Sequence, residues 1–270
     1  MKTVSIQDVS FGPDDFGLIV GPCVIENYEH AMHMATAIKK IVERLNIQMI
    51  FKSSFDKANR SSITSFRGLG IDEGLKILEK VRSEINVPVI TDIHLPEQAK
   101  PVSDVVDIIQ IPAFLCRQTD LLMSAGKTKK PVNVKKGQFL APWDMANVIT
   151  KLKGSECDDI MITDRGTQFG YNNLVADMRS IPIMKEFGYP IIFDATHSAQ
   201  LPGGDGKTTG GMRSMIPTLA KSAVAAGCNG IFMEVHDNVG NAKSDASTQW
   251  PLEQLESVLR SLIKIRDAVN

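Results

Sequence analysis

The chain has 270 residues, 43% of them apolar and 23% charged, which is ample for one large core or two small ones. Its formal net charge of −1 excludes a global pull toward nucleic acid or acidic membranes, so any anion binding must come from a local cluster. No apolar run is long enough to span a bilayer. The opening Met-Lys-Thr-Val-Ser-Ile-Gln-Asp lacks the apolar stretch of a signal peptide, and four widely spaced cysteines (Cys23, Cys116, Cys157, Cys228) without a CxxC pair predict reduced thiols in a cytosol.

In chain order, residues 3–6 read as a strand and 11–16 as a turn, a small hairpin within an N-terminal extension over 1–17. A repeating unit follows: an apolar run of about five residues, a polar end, then an amphipathic helix. Strands are predicted at 18–20, 49–52, 89–92, 108–111, 132–134, 160–163, 191–194 and 231–234. Helices are predicted at 28–45, 71–85, 96–104, 118–127, 143–153, 173–187, 212–226 and 251–268. Asp72-Glu73, Pro96-Glu97 and Pro142-Trp-Asp supply helix-start signals. Apolar strands alternating with helices imply a parallel sheet buried on both faces. Eight such units fit a single-domain closed (β/α)8 barrel spanning 1–270. The alternative, an open doubly wound sheet, normally carries a Gly-rich turn after its first strand, and Gly21-Pro-Cys23 matches that poorly.

A barrel places its working groups just after the strands, at one end. The strand ends are polar throughout: Gly21-Pro-Cys-Val-Ile-Glu26, Lys52 onward to Lys57, Asn59 and Arg60, Asp92-Ile-His94, Gln110 to Arg117, Lys135-Lys136, Asp164-Arg165-Gly166, Asp194 to His197, and Glu234-Val-His236. Two subsets separate on chemical grounds. Lys52, Lys57, Arg60, Lys135 and Arg165 would repel one another unless anions sit between them, so a small phosphorylated acid is the natural substrate. Cys23, His197, Glu234 and Asp245 offer sulfur, nitrogen and oxygen donors that suit a divalent transition metal better than magnesium. By residue type alone His94 and His236 are as available as His197, and a lone Cys23 reads as a small buried apolar group. The loop Leu201-Pro-Gly-Gly-Asp-Gly-Lys-Thr-Thr-Gly-Gly211 has five glycines in eleven residues, which suits a phosphate cradle, a lid or a plain flexible connector.

Five long motifs, in order, resemble the 3-deoxy-D-manno-octulosonate 8-phosphate synthase family. They are Lys52-Ser-Ser-Phe-Asp-Lys-Ala-Asn-Arg-Ser-Ser62, Gln110-Ile-Pro-Ala-Phe-Leu-Cys-Arg-Gln-Thr-Asp120, Asn133-Val-Lys-Lys-Gly-Gln-Phe139, Arg165-Gly-Thr-Gln-Phe-Gly-Tyr-Asn-Asn173 and Phe193-Asp-Ala-Thr-His-Ser198. The related heptulosonate 7-phosphate synthases share the barrel and the Gly-Pro-Cys start, but typically carry Lys-Pro-Arg-Thr-Ser where this chain has Lys57-Ala-Asn-Arg-Ser61. The resemblance implies a transferase that joins phosphoenolpyruvate to arabinose 5-phosphate with water and releases phosphate, in lipopolysaccharide synthesis. It implies that Lys52, Ser54, Lys57, Gln110, Ala113, Lys135 and Arg165 hold phosphoenolpyruvate. Asn59, Arg60, Ser61, Phe114 and Arg117 would hold the pentose phosphate, with Arg117 reaching across subunits of a homotetramer. Lys57, Asp92, Lys135 and His197 would act in catalysis. Cys23 stands where metal-independent relatives carry asparagine, so the resemblance is to the metal-dependent branch, with Cys23, His197, Glu234 and Asp245 as ligands. Zinc, iron, manganese, cobalt and cadmium all satisfy such donors. Thr64 and the residue after His236 depart from the family's usual histidine and proline.

Overall fold

A computed structural model of the chain describes residues 1–203 and 210–269. Residues 204–209 of the glycine-rich loop 201–211 lie outside the described residues. Eight parallel strands close on themselves: β1 (Gly17–Gly21), β2 (Met49–Lys52), β3 (Val89–Asp92), β4 (Ile108–Ile111), β5 (Val132–Lys135), β6 (Ile160–Asp164), β7 (Ile191–Asp194) and β8 (Gly230–His236). Closure is made where β8 pairs with β7 on one side and with β1 on the other, Gly230 to Glu234 running beside Gly17 to Gly21. The helices between them are α1 (Tyr28–Arg44), α2 (Ile71–Lys80), α3 (Ala99–Val105), α4 (Thr119–Lys127), α5 (Met145–Gly154), α6 (Ser180–Lys185), α7 (Ile216–Ala225) and α8 (Leu252–Val269). The predicted (β/α)8 architecture is thus the observed one. Among the described residues no helix is long and apolar enough to cross a membrane.

Several elements differ from the sequence reading, three of them among the helices. The helix predicted over 173–187 is only α6, because Thr167–Gln168 and Leu174–Val175 pair as a short antiparallel ribbon that uses up the start of that segment. Asn172 at φ 56° turns that ribbon, and the Ser180 hydroxyl bonds Asp164 at the mouth of β6. The second predicted helix ends at Lys80 and continues as one wider turn, Val81–Asn86. The third opens as a 3-10 turn, Pro96–Gln98, before α3 begins.

Side-chain alternation explains how one barrel serves both stability and chemistry. Residues i and i+2 of a strand share a face. Ile19, Ile50, Ile90, Ile108, Met161, Ile192 and Phe232 form one buried apolar layer inside the barrel. Two residues further along the same strands stand Lys52, Asp92, Gln110, Thr163, Asp194 and Glu234, all buried and all polar. The interior therefore switches from core to site within one strand step, about 6.6 Å.

The N-terminal hairpin, Val4–Ile6 against Val9–Phe11, plugs the opposite end. Val4, Ile6, Val9 and Phe11 join the inner apolar layer. Phe11 lies against two glycines: a Cβ added at Gly17 would fall 2.3 Å from its ring, and one at Gly230 would fall 2.8 Å away. Phe11→Ala would open a cavity in this plug, so a loss of about 3–5 kcal/mol is expected. Urea unfolding checks the loss, and ligand affinity at the far end should stay unchanged.

Candidate active site

The polar layer and the loops above it enclose a cavity of about 480 Å3 at the C-terminal end of the strands. Lys52, Lys57, Lys135, Arg165 and Arg60 all line it, as do Asn59, Ser61, Gln110, Ala113 and Phe114. Asp92, His94, His197, Glu234 and Asp245 complete its floor and one wall. Ser54 lies beneath, bonded to Lys52 Nζ at 3.1 Å and donating to Asp92 at 2.5 Å. Arg117 is not brought in: it is exposed, beside Asp144, Asn147 and Lys151, in a separate depression. Lys136, adjacent to Lys135, points the other way and is buried against the carbonyls of Gly137, Leu140 and Gly166.

Four cations therefore meet four carboxylates, of which Asp92, Asp194 and Glu234 are buried and Asp245 is half-buried. Lys52 Nζ bonds Glu234 at 3.1 Å and the Cys23 carbonyl at 3.2 Å. Lys57 Nζ stands 3.9 Å from the same Glu234 oxygen. Lys135 Nζ donates to Asp194 at 2.5 Å and sits 3.5 Å above the centre of the Phe232 ring. Arg165 donates to Gln200 at 2.6 Å, and its buried Nε has no protein partner. Burial alone would raise the Glu234 carboxyl, but His197, Lys52 and Lys57 more than offset that and hold it at about 2. Asp92, Asp194 and Asp245 are held well below the usual carboxylate range in the same way: burial opposes, and neighbouring His94, Lys135, Lys57 and His197 prevail. Burial pulls the Lys135 ammonium down, against the support of Asp194.

The Gly21-Pro-Cys23 turn exists because β1 and β2 nearly touch. A Cβ at Gly21 would lie 2.1 Å from the Lys52 carbonyl oxygen. The turn delivers Cys23 to a buried position where its Sγ lies 2.9 Å from Ser244 Oγ and 3.3 Å from Asp245 Oδ2. Burial, then Glu234, pushes the thiol well above its ordinary value. Asp245 adopts φ 46°, a left-handed conformation that aspartate tolerates better than most side chains. Ligand atoms of Cys23, Glu234 and Asp245 all fall within 4.8 Å of one another. His197 Nε2 stands 3.5 Å from both carboxylates.

These residues fit a metal ion by two separate marks. Glu234 Oε2 is buried without a hydrogen-bond partner, which is costly unless something else occupies it. The ionised Asp194 can only accept, so His197 Nδ1, 2.7 Å away, carries a proton and leaves the Nε2 lone pair facing Glu234 and Asp245. A carboxylate behind an imidazole is the usual support of a metal-bound histidine. Of the three strand-end histidines, His197 is the one that faces Glu234 and Asp245; His94 bonds Asp92 and His236 bonds Glu26, each through Nε2.

Asp194, Gln200 and Ser244 have roles that the sequence reading did not assign. Asp194 was detectable in principle, since it stands two residues beyond the inward-facing Ile192. Gln200 and Ser244 lie in loops with no periodicity to place them.

A closed parallel barrel with a cation-lined mouth and a mixed sulfur, nitrogen and oxygen cluster defines a barrel enzyme for a small, multiply anionic substrate. The model of the DAHP synthetase I family matches residues 1–270, and the chain belongs to that family. Among curated proteins it is 56% identical over 273 residues to the 2-dehydro-3-deoxyphosphooctonate aldolase of Koribacter versatilis, covering 100% of this chain and 98% of that one. The Cyanothece protein of the same name is 54% identical over 270 residues (100% and 99%), and that of Rickettsia typhi is 54% identical over 264 residues (97% and 96%).

Proposed function

We propose that this enzyme condenses phosphoenolpyruvate with D-arabinose 5-phosphate and water, giving 3-deoxy-D-manno-octulosonate 8-phosphate and inorganic phosphate for lipopolysaccharide synthesis. The observation that carries the assignment is the convergence of Lys52, Lys57, Lys135 and Arg165 on one cavity, a charge set matched to a substrate bearing both carboxylate and phosphate. In the reaction, carbon three of the enolpyruvate bonds to the aldehyde carbon, and the aldehyde oxygen takes a proton. Water bonds to carbon two and gives up one proton, which balances the one taken by the aldehyde oxygen. The bond between carbon two and the phosphate oxygen then breaks, phosphate leaves with the electron pair, and the new hydroxyl loses its proton to the phosphate as the ketone forms.

Lys57, Lys135 and Arg165 bind the enolpyruvate anion, with Lys52, Ser54, Gln110 and Ala113 alongside. Their fixed positive charge stabilises the anionic character that develops at the carboxylate and leaving phosphate. Asp92 serves as a positioning group, because a carboxylate held ionised by His94 and Lys52 accepts from Ser54 rather than donating a proton. Cys23, His197, Glu234 and Asp245 would hold one divalent transition metal ion, which supplies Lewis acidity when bound. Asn59, Arg60 and Ser61 bind the sugar phosphate with Phe114. Arg60 is aimed by its bonds to the Phe66 and Lys243 carbonyls.

Arg117 reaches a neighbouring subunit's site in a homotetramer. Its position outside this chain's own cavity and the half-exposed ring of Phe114 support that reading. Four buried, unpaired cysteines support a reducing cytoplasmic setting.

The test offers phosphoenolpyruvate with either aldose and measures phosphate release. Arabinose 5-phosphate should turn over faster, and preference for erythrose 4-phosphate would refute the assignment. Asn59→Ala should raise KM for the pentose phosphate by about tenfold or more, the scale of one lost hydrogen bond to a bound anion. KM for phosphoenolpyruvate should change little, and equal losses would reject the division of the loop between the two substrates.

A further inference from the structure

A second cluster of metal-ligating side chains lies above the barrel's closing seam and shares no residue with the Cys23 cluster. Glu26 follows β1, His30 lies in the first turn of α1, and His236 ends β8. One ligand atom from each falls within 4.8 Å of the others. The local folding that brings them together is specific. Asn27 caps α1 by accepting from the His30 backbone N–H at 2.8 Å, which sets His30 at the helix start. The His30 and His236 ring centres then lie 4.6 Å apart, the rings tilted by 35°. His236 is buried, and Glu26 and His30 are half-buried.

Three features go beyond proximity. His236 Nε2 stands 3.2 Å from Glu26 Oε1. Two donors each about 2.0–2.1 Å from a tetrahedral ion lie about 3.3–3.4 Å apart. His30 Nε2 stands 3.2 Å from Asp237 Oδ1, while its Nδ1 is buried with no hydrogen-bond partner. His30 therefore keeps one buried nitrogen free beside Glu26 and His236, with a carboxylate on the other, the support that metal-bound imidazoles usually have. His236 Nδ1 accepts from the Asn238 backbone N–H at 2.9 Å, so its ring proton sits on Nε2 toward Glu26; an ion at Nε2 requires that proton on Nδ1, where Asp237 Oδ1 at 3.1 Å can accept it. His33, one turn along α1, is 3.7 Å from Asp237 Oδ2 but mostly exposed, which places it outside the ligand set.

We propose that Glu26, His30 and His236, with Asp237 behind His30, form a second cation site for an imidazole-preferring divalent ion of the zinc, cobalt or nickel class. An ion there ties the ends of β1 and β8 to the start of α1. It also bears on the loop after β8, since Glu26 accepts from the Lys243 backbone N–H at 2.9 Å and the Lys243 carbonyl holds Arg60. The site stands independently of the reaction assigned above.

The test is metal content per chain after equilibration with Zn2+ and removal of free ion, measured on the full-length protein. The expected contents are about two ions for the unaltered chain, one for Cys23→Ser, one for His30→Gln and none for the double variant. A single ion that survives Cys23→Ser and is lost in His30→Gln also supports the second site, and then it is the Cys23 cluster that fails. Zinc content unchanged by His30→Gln, or none bound by Cys23→Ser, overturns the proposal. Should His30→Gln fold poorly, Co2+ added to Cys23→Ser reads the same site. Intense visible absorption without a thiolate charge-transfer band supports it, and a spectrum no different from aqueous Co2+ overturns it.

Discussion

Lys135→Met is expected to lower turnover by about 10²–10³-fold, the loss that follows removal of one preorganised donor from a water-excluded site. Methionine matches the length of the lysine stem and can rest on the Phe232 ring where the ammonium now sits 3.5 Å from the centroid. Deleting one partner of a buried ion pair normally strands the other. Here Asp194 keeps the His197 imidazole at 2.7 Å, the His197 backbone N–H at 2.9 Å and the Thr196 hydroxyl at 3.1 Å. The fold should therefore persist while the cavity loses a positive charge, and kcat should fall more than unfolding stability does. Steady-state kinetics beside a denaturation curve separates the two. Burial lowers the Lys135 pKa, which also suits a lysine that forms a Schiff base. Borohydride treatment with substrates present distinguishes the two roles. No covalent adduct at Lys135 is expected, because Asp194 at 2.5 Å keeps the amine paired as an ammonium. An adduct would overturn the electrostatic role.

The alternation of apolar runs with amphipathic helices was enough to read the barrel, since strands buried on both faces read as short continuous apolar runs set between the helices. It failed at 173–187, where the Leu174–Val175 ribbon and a six-residue helix replace one long element. Pairing between Thr167 and Val175 is a tertiary event with no local signature. The cation cluster was legible because Lys52, Lys135 and Arg165 each follow a strand directly. Lys136 shows the limit of that rule: it shares the strand end with Lys135 but faces outward and bonds backbone carbonyls. Residue type left three histidines open, and family resemblance rather than spacing favoured His197. The geometry gives a physical reason for that choice: with Asp194 on Nδ1, His197 turns its other nitrogen toward Glu234 and Asp245, and His94 and His236 do not. The Glu26, His30 and His236 group was invisible as a unit, because its members lie 4 and 206 positions apart and meet only when β8 closes against β1.

Cys23→Ser is expected to remove the ion proposed for the first cluster and to lower turnover by more than about 100-fold. Loss of even a supporting group behind a ligand costs 10–100-fold in metal affinity or activity, and a missing ligand costs more. Serine keeps the size and the hydrogen bond toward Ser244, but its hydroxyl does not ionise into a ligand as a thiol does. The thiol itself resists ionisation in the metal-free protein, because burial and Glu234 both oppose a negative charge there. A cation would reverse that balance and displace the proton, so loading should release protons. The metal-free cluster already holds Glu234 and Asp245 ionised. The thiol should therefore contribute most of the released proton, and Cys23→Ser should abolish most of that release. Chelation of the unaltered enzyme should stop phosphate release, and returning Zn2+, Mn2+ or Co2+ should restore it. Full activity after exhaustive chelation, with metal content verified as zero, would show that Lys52, Lys57, Lys135 and Arg165 suffice for the chemistry and that Cys23 has only a packing role.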